Sequence, residues 1–185
     1  MKKRSLLIVL LLSAVLLQFC KKSDSTDTTD TTTTTSTVLF NAYVNGTLWT
    51  PKTVSATLTY NATAKTKTFT CTATDTAGTH KVVLNLTQAA TALDSTLIAQ
   101  TYSDTTTFKP NYYTITSGVS KPVGSLKGAY VTISSIDVAK KLITGTFSFN
   151  TTLYTYDGSG NVVSITSNAV TSGQFNNLPY TFKKQ

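Results

Sequence analysis

The chain has 185 residues, 16 Lys and Arg against 8 acidic residues, and a formal net charge of +8. All eight acids are Asp and the only Arg is Arg4, which argues against a nucleic-acid partner, because Arg is the usual agent of bidentate phosphate and base recognition. One His and two Cys exclude a multi-histidine metal centre and a disulfide framework, and no cofactor motif is present.

Lys2, Lys3 and Arg4 precede an apolar stretch from Leu6 to Leu17. That stretch is short of the roughly 20 residues of a membrane span and fits the 7–15 of a secretory core. Residues 1–19 are therefore read as a signal peptide. Leu17-Gln18-Phe19-Cys20 resembles a lipobox, with Phe19 where a small residue is usual. The whole layout resembles that of a bacterial lipoprotein. The resemblance implies lipidation of Cys20 by a diacylglyceryl group and an N-acyl chain such as palmitate. Each buried methylene contributes about 0.8 kcal/mol, and two or more chains anchor stably. The expected location is the outer membrane, facing the periplasm or the cell surface.

Residues 20–37 continue as the lipidated Cys and a Ser/Thr/Asp tether with nothing to build a core, so they are expected to be disordered. Loss of the leader leaves 13 Lys against 8 Asp, a balance of +5. Residues 38–185 are the size of one domain. If Cys20 is acylated, Cys71 has no partner. Between Phe69 and Ala73 it reads as a small buried hydrophobe.

Period-two alternation predicts an all-β domain, an antiparallel β-sandwich or barrel of about nine or ten strands. Phe40, Ala42 and Val44 share a face. So do Ala56, Leu58 and Tyr60; Val82, Leu84 and Leu86; Ile143, Phe147 and Phe149; and Val163 and Ile165. The opposite faces are largely Thr, Ser and Asn, as in sheets with one dry side. Asn45-Gly46 predicts a tight turn, and Asp157-Gly158-Ser159-Gly160-Asn161 predicts another. Val54–Thr74 and Tyr130–Thr151 read as two long hairpins of similar pattern. Gln88–Leu93 is the one weak helix candidate and equally fits a loop.

Phe40-x-Ala42-x-Val44-Asn45-Gly46-x-x-Trp49, Ile143-x-Gly145-x-Phe147-x-Phe149, Ile165-Thr166 and Gly173-x-Phe175-Asn176-Asn177-Leu178-Pro179-Tyr180 resemble the small β-rich lipoproteins of Bacteroidota, largely a domain family of unknown function. The resemblance spans most of residues 38–182. It implies fold and location and carries no catalytic residue.

Six Asp head a triplet of Asp, Ser or Thr, and then Thr or Ala. This resembles the O-glycosylation pattern of exported Bacteroidota proteins. The implied acceptors are Ser25, Thr28, Thr31, Thr76, Ser95 and Thr105.

Catalytic chemistry is sparse. His80 reads as an ordinary surface residue, and any Ser-His-Asp triad would have to use it. With no Glu, a carboxylate pair would have to come from Asp75, Asp94, Asp104, Asp137 and Asp157, all in turn-like settings. The 157–161 segment has oxygen ligands at alternate positions but no following acid, so it reads as a turn and no metal site is assigned. The aromatics are better binding candidates. Tyr102, Tyr154 and Tyr156 belong to this group, but Tyr112 and Tyr113 stand out because Lys109-Pro110-Asn111 before them reads as a loop. Trp49 reads as core. The expectation is a non-catalytic, cofactor-free binding or structural module for a glycan or protein. The alternative is a calycin-like barrel around a small apolar ligand, and a hydrolase stands behind both.

Overall fold

The computed structural model describes residues 39–185. The signal peptide, Cys20, the tether and the acceptors Ser25, Thr28 and Thr31 lie outside the described residues.

Twelve strands follow one another: β1 Phe40–Val44, β2 Thr47–Trp49, β3 Thr53–Asn61, β4 Thr66–Thr74, β5 His80–Ala89, β6 Thr101–Tyr102, β7 Asn111–Thr116, β8 Val119–Pro122, β9 Ser125–Asp137, β10 Leu142–Tyr156, β11 Val162–Pro179 and β12 Thr181–Lys184. They form two six-stranded sheets, ordered β2-β1-β11-β10-β9-β6 and β12-β3-β4-β5-β7-β8. The fold is a β-sandwich. Neither sheet closes on itself, so there is no barrel to enclose an apolar ligand. Two more strands form than expected, because two- and three-residue strands such as β6 and β2 are too short for alternation to register. One pairing is parallel, β12 with β3. It arises because the chain leaves the first sheet at Pro179 and joins the second at Thr181.

The core lies between the sheets. Phe40, Leu58, Phe69, Leu84, Leu86, Phe147, Phe149 and Phe175 are almost completely buried. Phe147 meets Phe40 at 5.2 Å and Phe175 at 6.4 Å between ring centroids. Two glycines make room for these rings. A Cβ at Gly173 would overlap the ring of Phe147, and one at Gly145 would overlap that of Phe175. Trp49 packs edge-on to Phe40 at 6.2 Å, half-buried, as a core residue should. The expected turn forms at Asn45-Gly46, with φ of 51° and 79°.

Two expectations need correction. Gln88 and Ala89 of the Gln88–Leu93 candidate continue β5, paired with Lys67 and Thr66, while residues 90–93 form the loop that the sequence equally allowed. Backbone pairing to β4 outweighs the helix preference of Ala89. Val163 and Ile165 alternate as expected but are both 61% exposed. They lie where β10 and β11 overshoot the sandwich. β9 accompanies β10 only as far as Thr152, and β1 accompanies β11 only as far as Val170. Leu153–Tyr156 and residues 162–166 pair with each other alone, forming an arm closed by the turn at 157–161. The arm projects from the end of the sandwich opposite Phe40, because Phe40 pairs with Phe175 while Tyr156 pairs with Val162.

Candidate binding cleft

Tyr112 and Tyr113 are neighbours in β7 and therefore face opposite sides of the sheet. Tyr112 turns inward and is 7% exposed. Its ring stacks on His80 at 5.7 Å with planes 2° apart, and burial, with the charge of Asp75, pushes its hydroxyl pKa up. It is a core residue and is not placed to contact a ligand. Tyr113 turns outward and lines a cleft of about 470 Å³ with Thr105, Lys109, Pro110, Asn111, Pro122, Gly124, Ser125 and Leu126. That volume falls within the range of small-molecule sites.

Local folding fixes these walls. Tyr113 pairs across the strands with Lys81 on one side and Pro122 on the other. The Lys81 ammonium stands 4.7 Å from the Tyr113 ring centroid and donates to Ser120 Oγ at 2.9 Å. One ring face is thus held by a cation. Lys109 N donates to Asn85 O and Val123 N to Tyr112 O, each at 2.8 Å. Between Pro122 and Ser125 the chain crosses from the second sheet to the first. Gly124, at φ +84°, makes that crossing against the backbone of Thr152, where any Cβ would overlap. The cleft therefore sits at the root of the arm.

Lys109 is the only charged residue in the lining. Nearby Asp104 is turned to local use. The Thr106 hydroxyl and N–H hold its carboxyl below the usual range, and Lys109 adds to that. An aromatic face, an ammonium, an amide and two hydroxyls can bind a polar ring and favour an anionic substituent. They supply no acid–base pair.

The other candidates occupy structural positions. Tyr102 is buried and its hydroxyl meets Gln88 Oε1 at 2.8 Å and Ile98 O at 2.9 Å. The His80 side chain is 41% exposed, in keeping with a surface residue, and its ring stacks on Tyr112. Its Nδ1 faces both Asp75 Oδ2 and Thr79 Oγ1 at 3.0 Å. A triad needs the carboxylate and the nucleophile on different ring nitrogens, so this cluster cannot relay a proton in that way. Asp157 closes its turn by accepting from Ser159 N and Asn161 N, and hydrogen bonds led by Asn161 lower its pKa. Among the described residues, no group of three His, Cys, Asp or Glu is placed to hold a metal ion. Cys71 is fully buried, and burial pushes its thiol up to about 12. Thr76 and Thr105 stand exposed in turns, while Ser95 is half-buried and its carbonyl accepts from Tyr180.

Sequence reasoning found Tyr113 but missed Lys109, Asn111 and Ser125 as its companions. The arm was also missed. Tyr154 and Tyr156 were named among the aromatics, but Leu153, Val162, Val163 and Ile165 were not singled out as exposed. No family model, curated protein or solved structure matches this chain.

Proposed function

We propose that this protein is a lipid-anchored protein of the cell envelope whose β-sandwich is a non-catalytic glycan-binding module. The observation that carries the reading is the cleft at Tyr113. It offers a half-exposed ring for stacking on a sugar, hydroxyls and an amide for its polar edge, and Lys109 for an acidic group. The absence of any carboxylate from its lining favours binding over hydrolysis. The exposed turn at Thr76 suits an O-glycan acceptor, since a bulky group there disturbs no core, whereas a glycan on Thr105 would stand on the wall of the cleft. Intact mass of the envelope form would show hexose-sized increments above the lipidated polypeptide.

The test is calorimetric titration of the full chain with neutral oligosaccharides and with oligosaccharides containing uronic acid. Binding should be tighter for the acidic set. Tyr113→Ala should weaken both sets about tenfold. Lys109→Gln should remove the preference for the acidic set. Equal binding by wild type and Tyr113→Ala, or none by either, would refute the assignment of the cleft.

A further inference from the structure

Each sheet of a sandwich ends in two strands with unpaired backbone groups, which other chains can pair with unless something blocks them. Here the four outermost strands are all blunted. β2 and β6 have only three and two residues. β8 carries Lys121 and Pro122, and β12 carries Lys183 and Lys184. The arm has none of these devices along most of its length. Its β11 side reads Val162, Val163, Ser164, Ile165, Thr166 and Ser167, without a charge or a proline, and four of the six are β-branched. The one irregularity is a register shift near the tip, at Thr155/Tyr156.

The end of coverage is built rather than frayed. Asn45, in the turn after β1, accepts from Ala169 N through Oδ1 at 2.9 Å. Its Nδ2 donates to Asn168 Oδ1 at 3.0 Å. Coverage of β11 by β1 stops there, and the free edge begins. Tyr154, Tyr156, Val162, Val163 and Ile165 are 38–61% exposed on the same arm.

We propose that the free edge of β11 pairs antiparallel with the same edge of a second copy. The edge is uncharged, so it offers nothing to select a charged partner, and it is self-complementary about Ile165. A two-fold axis there sets Ile165 against Ile165, Ser164 against Thr166 and Val163 against Ser167, as an isologous interface requires. The two-fold stands perpendicular to the merged sheet, so Val163 and Ile165 of both copies share one face and pack side by side across the seam. The arms join root-to-tip, so the dimer carries two clefts on one body. This pairing stands whether or not the cleft binds a glycan.

The test uses the two-fold geometry. Residues directly opposite in an antiparallel pair have Cα atoms about 4.5–5.5 Å apart, within the span of a disulfide. Full-length protein carrying Ile165→Cys, oxidised in intact cells with copper–phenanthroline, should migrate at twice the monomer mass on a non-reducing gel. Val138→Cys, in the turn at the other end of the sandwich, should not. Ile165→Lys, at a site 61% exposed, leaves the fold intact and should weaken dimerisation of the purified full chain about tenfold in sedimentation. The proposal is overturned if Ile165→Cys gives no dimer, or if wild type sediments as a monomer at every concentration. It is equally overturned if Ile165→Lys dimerises like wild type.

Discussion

The β3–β4 and β10–β11 hairpins follow the same period-two rule and meet different fates. β3 and β4 pair without a break from Thr53–Thr74 to Asn61–Thr66. β12 and β5 flank them, and Ala56, Leu58, Phe69, Cys71 and Ala73 all reach the core. β10 and β11 bury Phe147, Phe149, Val170 and Phe175 at one end, then run on with no strand beside them and no layer beneath. Alternation reports which residues share a face. Whether another layer covers that face depends on the lengths of strands elsewhere in the chain.

The largest contrast should appear in truncations along β10 and β11. Phe149→Ala removes a ring that is 1% exposed and should cost about 3–5 kcal/mol, while Ile165→Ala should cost less than about 0.5 kcal/mol. Urea unfolding of both variants measures the difference. Equal costs would mean that the arm is packed and not free.

Next come the glycines. Gly173→Ala drives a methyl into the ring of Phe147 and should cost about 1–3 kcal/mol. Gly158→Ala, in the arm's turn, meets nothing within 4 Å and should stay within about 0.5 kcal/mol. The same denaturation series compares them.

A smaller effect belongs to the covered hairpin. Lys67 of β4 lies in the inward register, only 4% exposed, and its ammonium reaches Asp94 in the loop after β5. Burial disfavours the Asp94 carboxylate, but the Lys67 hydrogen bond, the Thr96 N–H and the Lys67 charge outweigh it, so the pKa is lowered. A carboxyl lowered on folding stabilises above its unfolded pKa, near 3.8, and loses that contribution as pH falls through the folded value. Asp94 is 38% exposed, so screening limits the effect. Asp94→Asn should therefore destabilise by less than about 1 kcal/mol at pH 7, with the gap to wild type closing in strongly acidic solution. A pH-independent gap would assign the loss to packing.

Much of the fold was legible in the residues. The inward sets on β1, β3, β5 and β10 follow from alternation, and the Asn45-Gly46 turn follows from residues that tolerate positive φ. The cleft was not legible, because Lys109, Tyr113 and Ser125 meet only through the crossing at Gly124. Tyr112 and Tyr113 were indistinguishable while their segment read as a loop. Strand register separates them, and it depends on the pairing of Val82 with Tyr112. Val163 and Ile165 carried the signal of a buried face because alternation marks an apolar face whether or not another layer of the chain covers it.

Thiol chemistry gives the finest form of the same contrast and should leave stability almost untouched. Cys71 sits in β4 with no exposure and a thiol pushed up to about 12. The upward shift comes from burial alone, so the thiol stays protonated at pH 8 while the sandwich is closed and becomes an ordinary reactive thiol when it opens. Iodoacetamide should therefore modify Cys71 only through opening of the sandwich, at a rate that climbs with urea as global stability falls. In the Ile165→Cys variant the arm thiol should react fast when monomeric and more slowly as concentration rises and dimers form. Peptide mapping separates the two sites. A Cys71 rate indifferent to urea would mean that β3–β4 opens alone, and the covered hairpin would then be no more part of the cooperative core than the arm.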